Sequence, residues 1–195
     1  MANGNGNGNG NGGTPKPPDK KPTAQKDPKP VDVEGMKHLA EVKRHKDLVI
    51  SSADVLSQRL WEQGRVEFAR NLMALAYAHD VSKFQGIEWR ELRRSKTKSD
   101  DEEDKKTAFI AFRHHQEANP HHPEHWGGVN NMPEIHIAEM VCDMHARSSE
   151  IGTDLRGYVK TEFLKKHNIT TRGRAYKMMK EFIDLLLDPP LAKME

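Results

Sequence analysis

The stretch AHDVSKF, residues 78–84, sets an imidazole and a carboxylate side by side at the end of a helical pattern. Upstream of it, Phe68, Leu72, Leu75 and His79 follow the three-four spacing of an amphipathic helix over about 65–79. His79 and Asp80 offer one nitrogen and one oxygen donor to the same ion, a mixture that a borderline or hard divalent metal accepts. Taken alone the pair carries little weight, because helix caps also produce it. Its meaning depends on what surrounds it.

Working outward, every patterned segment is helical. A first helix spans about 34–61, with Val42, His45, Val49 and Leu56 near one face. RRSKTKSDDEEDKK (93–106) reads as a solvated linker or helix start. A third helix near 103–118 carries Phe109 and Phe112 and stops before Asn119-Pro120. The Pro/Gly-rich loop NPHHPEHWGGVNNMP follows, and Pro133 stands where a fourth helix starts. Ile137, Met140, Val141 and Met144 give that helix its apolar stripe. A shorter helix near 156–167 and a strong one near 172–187 complete the chain. No alternating strand pattern occurs, so the expected fold is an all-α bundle of about six helices.

Two more residues align with the His-Asp pair. His45 lies on the apolar side of helix one; taken alone, it reads as a core histidine bonded to a backbone carbonyl. Asp143 lies on helix four in line with His136, Glu139 and Arg147, and alone it reads as an exposed i, i+4 partner of Arg147. The ordered set His45, His79-Asp80, Asp143 favours metal ligation over both. Between the pair and Asp143, the segment FRHHQEANPHHPEHW (112–126) packs five histidines into residues 114–125. Its helical half turns His115 inward with Phe112, Ala111 and Ala108, in preference to His114. Its loop half supplies His121, His122 and His125 between prolines. This cluster reads as a second metal site, a polar cap on the loop, an adventitious metal binder or a substrate contact. Trp89 and Trp126 are expected to pack, Cys142 to be a small buried hydrophobe, and Asn119 to form a turn.

Composition limits the class. Residues 1–33 join an Asn-Gly repeat to TPKPPDKKPTAQKDPKP and lack apolar surface to offset ordering, so a disordered tail is expected before a helical domain over 34–195. Five of the 31 basic and three of the 29 acidic residues lie in that tail, which accounts for the net +2; the rest balances. The helical part thus has no overall charge excess to draw nucleic acid. Nothing approaches the roughly 18 apolar residues of a membrane span, and the start has neither the basic nor the apolar region of a secretory signal. One cysteine allows no internal disulfide, which suits a reducing cytoplasm and gives the sequon at Asn168 little weight.

The order His … His-Asp … Asp on an all-helical chain resembles the HD superfamily of metal-dependent phosphohydrolases, and HDVSK resembles its frequent His-Asp-x-Gly/Ser-Lys form. More narrowly, HDVSKF, FRHHQEANPHHPEHW and MPEIHIAEMVCDM are similar to a family of phage and bacterial HD-like proteins, over roughly 36–150. The resemblance implies that His45, His79, Asp80 and Asp143 hold one divalent ion (Mn, Mg, Co, Ni or Fe). It also implies that His115, His121 and His122 hold a second where two are present. Position 83 is Lys where HD-type nucleoside monophosphatases place Glu, which argues against that activity. Lys83 resembles the lysine of other HD enzymes that holds a phosphoryl oxygen, though a solvated lysine at a helix end fits equally.

By that resemblance the expected reaction is hydrolysis of a phosphoester or phosphoanhydride, with a nucleotide as substrate and a cytoplasmic setting (a host cytoplasm if phage-encoded). Asp80 orients water, and Lys83, or an unmatched Arg such as Arg44, steadies developing charge. Two other classes stay open: an HD-type di-iron oxygenase, which needs six protein ligands, and a non-catalytic HD-fold binding protein. Oligomeric state leaves no mark on the sequence. Limited proteolysis is expected to trim the chain to near residue 34; protection of residues 1–30 would contradict the tail.

Overall fold

The computed structural model describes Met1 and residues 32–188, so the expected tail lies outside the described residues except at its end. Those last two positions belong to the first helix. Asp32 caps it by accepting from the Gly35 backbone N–H at 2.8 Å, and α1 runs Val33–Glu62. Val42, Val49, Ala53, Leu56 and Leu60 recur every three, four or seven residues and form its buried stripe. After a tight connection α2, Val66–Ala78, buries Ala69, Leu72 and Ala76 against α1.

The next segment differs from expectation. A 3-10 turn over Val81–Phe84 leads into two short helices, α3 (Gly86–Glu91) and α4 (Arg94–Thr97). The charged run from 93 is therefore part helix, and α3 was invisible because six residues carry no apolar period. Then α5, Glu102–Ala118, is capped by Asp101 and ends at Asn119, where the following proline disfavours helical backbone. Its buried side consists of Ala108, Ala111 and His115. Phe112, expected to turn inward with His115, is 48% exposed, and Phe109 is 62% exposed. The small residues determine the face, since α5 lies on α3 and α4 across alanines.

Two 3-10 turns, Pro123–Trp126 and Val129–Asn131, organise the loop that follows, with Val129 and Met132 fully buried beneath it. The long α6, Glu134–Ile151, closes on Gly152 at φ 70°, a left-handed C-terminal cap that glycine adopts without steric cost. The expected helix at 156–167 is α7 (Leu155–Tyr158), a π-helical turn (Val159–Phe163) and α8 (Leu164–Lys166) in continuous register. Finally α9, Arg174–Leu187, buries Ala175, Met179, Phe182, Ile183 and Leu186.

The described residues thus form an all-helical bundle without a strand. Helices α1, α2, α6 and α9 enclose one apolar core, and α5 packs on α3 and α4 outside it. Among the described residues no helix is long and apolar enough to cross a membrane. Phe182 is the largest fully buried side chain and stacks on Phe68 with ring centroids 5.9 Å apart. Phe182→Ala should therefore cost about 3–5 kcal/mol in denaturant unfolding of the whole chain; a loss below about 1 kcal/mol would show that the core is not organised around it.

Candidate metal centre

The site begins where α2 stops. His79 leaves the helix with extended backbone, and Asp80 takes φ 55° in the left-handed region, which aspartate tolerates better than most residues. The break turns both side chains into the protein, 1% and 2% exposed. Opposite them, α1 contributes His45, α6 contributes Asp143, α5 contributes His115, and the loop after α5 contributes His121 and His122. All seven residues expected as ligands converge. Three overlapping groups have donor atoms within 4.8 Å of one another: His45, His79 and Asp143; His79, Asp80 and His121; and His115, His121 and His122.

Asp80 stands between the two halves. Its Oδ2 lies 3.5 Å from His79 Nε2, and its Oδ1 lies 3.4 Å from His115 Nε2 and 3.5 Å from His121 Nε2. Asp143 Oδ1 is 2.9 Å from His45 Nε2 and 3.8 Å from His79 Nε2. His122 Nε2 is 3.0 Å from His115 Nε2. Ligands bound at about 2.0–2.1 Å, as to zinc, sit about 3.0–3.4 Å apart in octahedral or tetrahedral arrangements. These separations fall close to that range. Five buried side-chain atoms among the described residues lack a hydrogen-bond partner, and three of them are His79 Nε2, Asp80 Oδ1 and His121 Nε2. Buried polar atoms are normally satisfied, so three gathered donors facing one another fit a cation. The residues present fit one or two divalent ions, with Asp80 placed to serve both.

Outer carboxylates hold the imidazoles. Glu150 Oε2 lies 3.2 Å from His45 Nδ1, and Glu139 Oε1 lies 3.3 Å from His79 Nδ1. Glu88 Oε2 lies 2.8 Å from His115 Nδ1, while its Oε1 lies 2.7 Å from His114 Nδ1. A carboxylate accepting from Nδ1–H fixes the tautomer that leaves Nε2 free to ligate. Sequence reasoning missed all three glutamates. Glu88 is fully buried on α3 and also accepts from the Ser82 hydroxyl at 2.8 Å. Asn119, expected only to turn the chain, donates to Ser82 Oγ at 2.9 Å and to the His115 carbonyl at 2.7 Å.

Partners decide between several readings that the sequence left open. Asp143 pairs with His45, while Arg147 donates to Glu150 at 3.0 Å. His45 faces two carboxylates in place of a backbone carbonyl. Arg44 is not unmatched, since it lies 3.7 Å from Glu150. Lys83 is no free solvated lysine either; its Nζ is 2.6 Å from Asp80 Oδ2. His115 is the inward member of its pair, and His125 turns away to the Glu117 carbonyl at 2.6 Å. Cys142 is buried as expected, and burial pushes its thiol pKa up.

Electrostatics match the geometry. Burial opposes ionisation of Asp80, but His79, Lys83, His115 and His121 outweigh it and hold the carboxyl well below the usual range. Asp143 is likewise held down despite burial, by its hydrogen bond to His45 and by the neighbouring imidazoles. Burial works to lower His45 and His79, yet Asp143 beside one and Glu139 beside the other leave both pKa values raised. His122 moves the other way, to about 3, through burial and then the neighbouring His121 and His115.

Residues 34–188 match the model of the family of unknown function DUF5662, and the chain belongs to that family. No curated protein and no solved structure matches it.

The shifts dictate how pH acts on metal-free protein. His45 and His79, raised above the ordinary value near 6.5, stabilise the fold below that value and lose the contribution as pH rises through their folded pKa values. His38, His115, His122 and His145 are lowered, so the unfolded chain takes up protons first as pH falls below 6.5. Metal-free protein should melt highest near pH 6.5 and lower on either side. Added Mn2+ should reverse the upper limb, because metal binding needs neutral imidazole and strengthens with pH. Melting temperatures followed by circular dichroism with and without Mn2+ check this; identical profiles would contradict the metal centre.

Proposed function

We propose that this member of the DUF5662 family is a metal-dependent phosphohydrolase of the HD type, acting on a phosphoester or phosphoanhydride of nucleotide class. The observation that carries the reading is Asp80: a buried carboxylate with one oxygen towards each half of a histidine cluster. Bound divalent ions supply acidity to water and neutralise phosphoryl charge. The chain's residues supply the remainder. His45, His79 and Asp143 would hold an ion on one side, His115, His121 and His122 on the other, with Asp80 between them. The nearest cation is Lys83, a quarter exposed beside Asp80 and placed to hold a phosphoryl oxygen. Arg44, Arg147 and Lys83 are all paired, the two arginines with Glu150 and Lys83 with Asp80, and Lys83 is favoured because its partner is itself a candidate ligand.

One observation favours a second reading. The His115, His121 and His122 half offers three imidazoles with a single shared carboxylate, a nitrogen-rich set that suits iron better than magnesium. An HD-type di-iron oxygenase would use the same residues. Metal analysis separates the two, together with phosphate release from nucleotides and oxygen uptake. Under the phosphohydrolase reading His79→Ala and Asp80→Ala abolish phosphate release at every Mn2+ concentration. Lys83→Met keeps its metal but loses about 10²–10³ in kcat/KM. An Asp80→Ala protein with full metal content and full activity would refute the assignment. Oxygen uptake by an iron-loaded protein without phosphate release would favour the second reading.

A further inference from the structure

Glu139 lies on α6, 4% exposed, on the same stripe as His136 and Asp143. Its Oε1 is 3.3 Å from His79 Nδ1 and 3.5 Å from His121 Nδ1, and its Oε2 is 3.2 Å from His136 Nδ1. His79 groups with His45 and Asp143, His121 groups with His115 and His122, and the two meet in a third group at Asp80. One carboxylate oxygen therefore faces an imidazole of each half, and the two rings lie 4.2 Å apart between centroids. The other two outer glutamates are one-sided. Glu150 reaches only His45 among the candidate ligands, and Glu88 only His115. Resting on the metal-centre reading above, we propose that Glu139 is a shared positioning residue that sets the tautomer and ring direction of one ligand in each half, so that both ions depend on it.

The physical basis is simple. An imidazole whose Nδ1–H is held by a carboxylate presents its Nε2 lone pair in a fixed direction and with greater basicity. His79 Nε2 and His121 Nε2 are both buried and unpartnered, the first 3.5 Å from Asp80 Oδ2 and the second 3.5 Å from Asp80 Oδ1. Without Glu139, each ring can flip or take the opposite tautomer, and both halves lose an aimed donor. His136 fixes the second oxygen and rests on Trp126, ring centroids 5.5 Å apart. Trp126 in turn donates to the Pro120 carbonyl at 2.8 Å. The carboxylate is thereby tied to the loop that carries His121.

The test is titration of the chelator-treated full-length chain with Co2+, read by visible absorbance and by equilibrium dialysis with metal analysis. The wild type is expected to bind two ions. Glu139→Gln should weaken both binding steps, each by about 10–100-fold, while Glu150→Gln and Glu88→Gln each weaken one. Should Glu139→Gln fail to fold by circular dichroism, Glu139→Asp keeps the charge, withdraws it by one methylene and should show the same double weakening. Loss at one step alone, or at neither, overturns the proposal. A wild type that binds a single ion overturns the shared role but leaves the metal centre standing. A wild type that binds none removes the metal centre, and this proposal with it.

Discussion

Around the Asp80 carboxylate the structure meets its hardest physical demand. An ionised carboxylate taken from water to the interior costs several kcal/mol unless other groups compensate it. Asp80 is 2% exposed and sits on a backbone turn that non-glycine residues seldom adopt. Lys83 meets one oxygen, and imidazoles from α2, α5 and the following loop surround it. That arrangement explains the position of α5: its alanine face lets His115 approach closely while Phe109 and Phe112 stay outside. It also explains why α6 turns His136, Glu139 and Asp143 towards the centre from among its buried apolar residues.

Five carboxylates, Asp80, Asp143, Glu88, Glu139 and Glu150, border the cluster, and each has an imidazole within 3.5 Å. A fold selected for stability alone would not gather so many ionisable groups and leave three donor atoms unpartnered. The pattern is ordered: inner donors face one another through Nε2 or carboxylate oxygen, while outer glutamates take Nδ1. Outer glutamates that hold the Nδ1 side of each imidazole limit the ordering cost of binding an ion.

Much of this was legible in the sequence, because helical spacing and residue order survive folding. The all-α architecture, the main helices and the convergence of His45, His79, Asp80, Asp143, His115, His121 and His122 followed from periodicity and from the resemblance those residues carry. The outer glutamates were not legible for identifiable reasons. Glu88 lies on a helix too short for a period, and Glu150 stands among exposed polar residues of α6. Glu139 shares a stripe with Arg147, which suggested a solvated face. The missed signal was the rest of that helix: Ile137, Ala138, Met140, Val141 and Cys142 leave His136, Glu139 and Asp143 as a polar seam in an apolar helix. A seam of that kind points to something polar inside. Phe112 misled because it was grouped with the inward His115, whereas close helix packing on α5 selected alanine.

The most direct measurement is anomalous diffraction from crystals grown with Mn2+, recorded where manganese scatters strongly. The account predicts two peaks flanking the Asp80 carboxylate, one beside His45, His79 and Asp143 and the other beside His115, His121 and His122. Crystals grown with saturating Mn2+ that show no peak within bonding distance of Asp80 would contradict it.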